Sequence, residues 1–359
     1  MSTILYILVA IFVFGVLIGI HELGHFLAAR ACGVTVLEFS MGMGPALWQR
    51  ETKSGTKLSW RALPIGGFCA MEGEDEGSDD PHAFTNAAVW KRAVILCAGA
   101  FMNFVLGFVL IFACFSQQDS FMTPQITAFM DGCPYEGADA FEQGDVFWRI
   151  NGRRVYFSGD VSTGLARSAD DRHDIVIVRD GEKIKLEGFY MPKREYVDED
   201  TGETVMKYGF YFGMQETGFF AQVKYSWYEA LDFVRMVWEG LGDLITGAVG
   251  LNQMSGVVGI VDVIAETGKA SPTAYAAVLN IVYLAAFLAV NLAVMNMLPL
   301  PALDGGRVFF LLVTAVLERL LRRRIDPKYE GYINAAGLVL LMALMVYVMF
   351  NDIVRIVTA

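Results

Sequence analysis

The chain has 359 residues, is 55% hydrophobic and carries a net charge of −11. Its acidic balance excludes nucleic acid as a partner, because neutralising phosphates takes clustered lysine and arginine, and its apolar content is that of a membrane protein with a soluble part. Five cysteines (Cys32, Cys69, Cys97, Cys114 and Cys133) form no CxxC pair, which argues against both a disulfide framework and a cysteine-rich zinc knuckle.

Residues 1–31 are expected to form a first transmembrane helix. Ile4 to Ile20 are free of charge, and with no basic stretch before them the segment reads as an uncleaved span rather than a secretory signal. His21-Glu22-Leu23-Gly24-His25 closes this run. On a helix, positions i and i+4 share a face, so both imidazoles can grip one metal ion, and Glu22 projects where a carboxylate can take a proton from an attacking water. Ionisable groups placed about 25 Å along an apolar helix are costly and point to function.

Residues 32–90 follow as a β-rich loop on the cytosolic side. Strand-like pieces at Leu37–Met41, Ala46–Arg50 and Lys57–Leu63 are separated by Gly42, Gly44-Pro45 and Ser54-Gly55. Pro64-Ile65-Gly66-Gly67-Phe68 reads as a flexible turn near the metal helix, and Glu72–Asp80 as solvated acidic surface without a role. A strand-rich loop beside the site offers pairing to a substrate helix that must unwind before it can be cut. Residues 91–116 form the second span.

The insert at residues 122–215 contains Gly144-Asp145-Val146-Phe147-Trp148-Arg149-Ile150-Asn151-Gly152, which resembles the core strand and turn of a PDZ domain. Asp160 to Val178 would supply its helix and next strand, and Lys183–Phe189 another strand after a turn at Gly181-Glu182. Such a domain either adds a peptide as a strand at its sheet edge or serves as a spacer. Over residues 220–272 an amphipathic helix is expected, from Trp227, Leu231, Val234, Trp238, Leu241 and Ile245 at helical spacing, with a linker after it.

Residues 273–310 form the third span and end in Asn296-Met297-Leu298-Pro299-Leu300-Pro301-Ala302-Leu303-Asp304-Gly305-Gly306. Its two prolines break the helix at a depth where freed backbone must line a polar site or be buried. Asp304 is the one carboxylate there; two histidines and one carboxylate with an open fourth position make a catalytic zinc set. A basic loop (residues 311–331) and a fourth span (residues 332–357) complete the chain. Arg30, Arg50, Lys53, Lys57, Arg61, Lys91 and Arg92 lie between spans one and two, and Arg319, Arg322, Arg323, Arg324 and Lys328 between spans three and four. Both loops are therefore expected in the cytosol and the insert outside it. This brings His25 and Asp304, each at the inward end of a span, to one depth. His82 and His173, in hydrophilic segments without ligand spacing, read as ordinary surface residues.

The two core motifs with a PDZ-like module between them resemble the site-2 proteases, and more narrowly the bacterial regulator-of-sigma-E protease branch. The similarity extends to Gly42-Met43-Gly44-Pro45, Pro64-Ile65-Gly66-Gly67, Gly99 with Asn103, Ser255 to Ile260, and Asn351-Asp352. It departs at Ala100 and Val257, where proline is typical, and in showing one PDZ copy where some relatives carry two. The resemblance implies that His21, His25 and Asp304 are Zn2+ ligands and Glu22 the catalytic acid/base. It further implies that Asn296, with Pro299 and Pro301, helps hold substrate.

The expected fold is a polytopic α-helical membrane protein of about four transmembrane helices, with a membrane-associated β-rich loop and an extracytoplasmic PDZ (α+β) domain. The expected activity is hydrolysis within transmembrane segments of single-pass proteins, such as an anti-sigma factor or remnant signal peptides, in the bacterial cytoplasmic membrane. A metal transporter, or a PDZ-bearing scaffold with a structural ion, is the competing reading. Glu22 separates them, since neither needs a carboxylate beside the ligands.

Overall fold

A computed structural model describes residues 3–74, 78–137, 139–168, 170–197, 202–250, 253–322 and 328–358. They form two compact units, one from residues 1–114 and 230–359 and the other from residues 115–229. Among the described residues, four helices are long and apolar enough to cross a membrane: α1 (Thr3–Cys32), α2 (Val89–Phe115), α6 (Ala274–Asn296) and α8 (Lys328–Thr358).

In the first unit, α1 ends as its sequence dictates. Gly33 takes φ +80°, its N–H reaches the Arg30 carbonyl at 3.2 Å, and the Val34 N–H reaches that of Ala29 at 2.9 Å. These paired bonds turn the chain off the helix. It then runs into a long antiparallel hairpin, β1 (Val36–Glu51) with β2 (Lys57–Met71). Gly42 and Gly44, expected to separate strands, lie inside β1 as irregular positions. Pro64–Phe68, expected as a turn, is strand: Phe68 pairs with Ser40 and Gly67 with Met41. Proline is tolerated there because a two-stranded ribbon leaves each strand an open edge. The hairpin exposes Met43, Leu47, Trp48, Trp60 and Leu63, an apolar surface of the kind a bilayer covers.

Ala29, Val34, Val36, Cys69, Met71, Phe84, Ile95, Leu96 and Leu311 form a buried cluster joining α1, the hairpin and α2 to α7 (Asp304–Leu321). Two departures from expectation follow α4 (Phe219–Thr246). The expected linker contains α5 (Val257–Ala270), whose Ile264 and Ala265 bury against Tyr6 and Ala10 of α1. The third span stops at Asn296, and α7 occupies much of the expected basic loop; residues 323–327, with Arg323 and Arg324, lie outside the described residues. At the far end of the chain, the buried Asp352 of α8 accepts from the N–H groups of Gly256 and Gly259 at 2.9 and 2.8 Å, satisfying donors at the start of α5.

The second unit is built on a sheet in the order β10-β3-β4-β6-β7, formed by Phe210–Glu216, Ser120–Phe129, Val146–Ile150, Arg172–Arg179 and Glu182–Tyr190. The short β5 (Arg153–Arg154) pairs with β4, α3 (Ser158–Ala166) follows it, and β8 (Arg194–Val197) with β9 (Thr204–Lys207) makes a separate hairpin. Phe141, Phe147, Ile150, Leu165, Ile175 and Ile177 are fully buried in its core. Asp145 is buried and held by a two-pronged contact from Arg179, Nε to Oδ1 and Nη2 to Oδ2, both at 2.8 Å. His173 corrects the expectation of a surface residue. Along β6 exposed and buried positions alternate, and His173 falls on the inner face with Asn151 Nδ2 3.3 Å from its Nδ1. Burial holds its pKa below the ordinary histidine value. His82 is exposed, as expected.

Candidate metal centre

One helix, α1, carries His21, Glu22 and His25, and the start of α7 carries Asp304. The i, i+4 spacing sets the two imidazoles edge to face, with centroids 4.8 Å apart. After α6 the chain turns through residues 297–303, where the Leu300 N–H meets the Leu298 carbonyl at 2.7 Å. Gly305 and Gly306 are buried in the first turn of α7, so this helix starts close against the turn. It thereby delivers Asp304 Oδ2 to 3.0 Å from His21 Nε2 and 3.3 Å from His25 Nε2, while the two Nε2 atoms are 3.2 Å apart.

Three ligand atoms held tetrahedrally at about 2.0–2.1 Å from one zinc ion lie roughly 3.3 Å from one another. The three separations observed fit that requirement, and the donor set of two imidazoles and a carboxylate is one that suits zinc. Asp304 Oδ2 is buried and faces the two imidazole Nε2 atoms. His25 Nδ1 donates to the Ile95 carbonyl at 2.8 Å, which leaves Nε2 bare for a metal. Among the described residues this is the one cluster of three or more such groups.

α2 packs against both rings only because residue 99 has no side chain. A Cβ at Gly99 would stand 2.8 Å from His21 Nε2 and closer still to His25 Nε2. On the opposite flank β2 crosses α1 at Gly67, where a Cβ would stand 3.3 Å from Glu22 Cγ and 3.0 Å from the Ser40 carbonyl oxygen. A cavity of about 390 Å³ opens among these elements, lined by His21, Glu22, His25 and Asp304, by Phe68–Met71 of β2, and by Leu96, Glu74 and Arg307. Glu22 therefore shares the cavity with the three converging atoms without belonging to their cluster.

Several residues here escape sequence reasoning. Glu74, set aside within an acidic stretch expected to do nothing, accepts from Arg307 Nη1 at 2.6 Å inside this cavity, which corrects that expectation. Residues 75–77 of that stretch lie outside the described residues. Arg307 was accessible in principle, being three residues after Asp304 on one helix face. Cys69 lies in the same wall, where burial and the carboxylates of Glu22 and Glu74 push its thiol up to about 12, so it stays protonated at neutral pH. Asn296, Pro299 and Pro301 are not brought to the cavity wall: Asn296 ends α6 half-buried, Pro299 is exposed and Pro301 half-buried.

Comparison with known proteins places this arrangement. The model of peptidase family M50 matches residues 9–344. A protein of Clostridium perfringens, provisionally named a zinc metalloprotease, is 33% identical, and the match covers 98% of this chain and 99% of that one. A similarly named protein of Fusobacterium nucleatum is 30% identical over 96% of this chain and 98% of its own. The regulator of sigma-W protease of Bacillus subtilis is 26% identical, with 96% and 97% covered.

Proposed function

This chain belongs to peptidase family M50, the site-2 proteases, and from that membership we propose that it cuts peptide bonds inside transmembrane segments of single-pass proteins. It is a zinc metalloprotease of a bacterial membrane. The observation that carries the proposal is that Asp304 of α7 converges on His21 and His25, which stand with Glu22 on a helix long and apolar enough to cross a bilayer. These three side chains hold the ion, and zinc when bound supplies Lewis-acid polarisation of the scissile carbonyl and a more acidic water. Glu22 accepts the proton of the attacking water and returns it to the leaving amine. A transporter or a structural ion site has no use for that carboxylate, and the alternative reading is weaker for it.

Clients are proposed to be anti-sigma factors or remnant signal peptides. The name of the Bacillus relative, a regulator of sigma-W, supports the first. The insert is read as a PDZ domain; its five-stranded path with α3 after the Gly144–Gly152 strand and turn supports this. In cells carrying Glu22→Gln protein, uncut membrane fragments are expected to accumulate, identified by proteomics as single-pass segments. A proteome indistinguishable from that of cells with the unmodified protein would defeat the proposal.

The insert is placed outside the cytosol and the metal centre near the cytosolic face, on the lysine and arginine bias between spans. A reporter fused near Gly181 is expected to be extracytoplasmic and one near Arg323 cytosolic. The reverse pattern would overturn the orientation.

A further inference from the structure

The face that α2 turns to the metal centre carries three different devices at four-residue intervals. The Ile95 carbonyl accepts from His25 Nδ1 at 2.8 Å, Gly99 leaves room for both rings, and the Asn103 amide lies 3.4 Å from His21 Nδ1. Positions i, i+4 and i+8 share a helix face, so one antiparallel register addresses both imidazoles at once.

A neutral imidazole has one protonated nitrogen and one bare nitrogen. A carbonyl can only accept, so Ile95 settles the question for His25: the proton is on Nδ1 and Nε2 is bare. For His21 to offer a bare Nε2 in the same way, its Nδ1–H needs an acceptor too. Asn103 is 1% exposed, and its Oδ1 has no hydrogen-bond partner among the described residues while Nδ2 faces the ring. A half-turn of the amide exchanges the two ends without moving any other atom. With Nδ2 donating, the His21 proton is forced onto Nε2, the atom 3.0 Å from Asp304 Oδ2, and that nitrogen is closed to a metal. With Oδ1 accepting, Nδ1 keeps the proton and Nε2 is bare.

We propose that Asn103 is a positioning residue for His21, accepting from Nδ1–H through Oδ1 and so presenting Nε2 to zinc. The inference rests on the reading of His21 as a ligand. It assigns Asn103 the part that the Ile95 backbone plays for His25, which makes α2 the helix that sets both tautomers. Outer partners of ligating histidines are typically worth 10–100-fold in metal affinity.

The test uses the full chain in detergent, with zinc affinity measured by competition against a chelator. Asn103→Leu keeps the reach of the side chain and removes the acceptor, and is expected to weaken zinc 10–100-fold. Asn103→Asp keeps an acceptor and has no N–H to donate, and is expected to bind zinc close to the unmodified protein. Unchanged affinity in N103L would overturn the proposal. So would a loss in N103D equal to that in N103L, since donation by Nδ2 would then be what matters. Should the leucine variant fail to fold by circular dichroism, Asn103→Ala against Asn103→Asp makes the same comparison. Full zinc in His21→Ala protein would instead overturn the ligand reading beneath it.

Discussion

Alanine at His21, His25 or Asp304 is expected to leave purified protein essentially without zinc, whereas Glu22→Gln is expected to keep zinc and lose hydrolysis. The asymmetry follows from the geometry. The first three residues contribute the atoms that converge within 3.3 Å of one another, and a site of three protein ligands loses more with any one of them than the roughly 100-fold that an outer partner costs. Glu22 is in the cavity but outside that cluster. Its amide replacement keeps the shape and cannot accept a proton, so the loss is of general acid–base catalysis, about 10²–10⁴-fold in rate. Elemental analysis of the purified variants together with cleavage of a single-pass client reads both effects. Zinc at full occupancy in Asp304→Ala would take Asp304 out of the site, and hydrolysis at an undiminished rate in Glu22→Gln would take away its role as base.

The second large effect is expected at Gly99. Adding even a methyl group there places an atom inside van der Waals contact with both imidazoles, and the relief must come from α1 or α2 moving apart or the rings turning away. Either breaks the separations a tetrahedral ion needs. Gly99→Ala is expected to lower zinc affinity and activity together, and Gly99→Val to abolish both, with a further cost of about 1–3 kcal/mol in stability from overpacking. Gly15, in α1, is the control. A Cβ there meets nothing within 4 Å, so Gly15→Ala is expected to be neutral, or stabilising by up to about 1 kcal/mol through reduced chain freedom. Equal zinc content in Gly99→Val and unmodified protein would show that α2 does not press on the site.

What could be read from the residues divides along physical lines. His21, Glu22 and His25 announce themselves because the helix period alone puts them together, and the four membrane-length helices follow from apolar runs too long for anything else. Asp304 needed a depth argument, since nothing local joins it to α1. Of the residues behind the two histidines, Gly99 and Asn103 stand out only through the family resemblance, because a glycine's role depends on the neighbour it admits, and a carbonyl such as that of Ile95 is offered by every residue. Pro64 to Phe68 looked like a turn because proline and paired glycines usually break strands, yet an open-edged ribbon absorbs both. His173 misled through its neighbours. Asp170, Asp171, Arg172 and Asp174 suggested surface, and the strand's period of two put the histidine inside regardless.

The membrane unit is assembled from the two ends of the chain, with the whole insert between them. During synthesis the histidine pair leaves the ribosome first, and roughly 280 further residues must follow before Asp304 exists. At about 5–20 residues per second, that interval is some tens of seconds. Throughout it the nascent chain has two of the three converging groups and nothing to close the set, so on the proposed reading of those groups as zinc ligands it has no proteolytic activity. Truncated translation products are disarmed for the same reason. Long-range assembly of this kind slows folding, and on the proposed reading of these residues it withholds proteolytic competence at least until the start of α7 has been made.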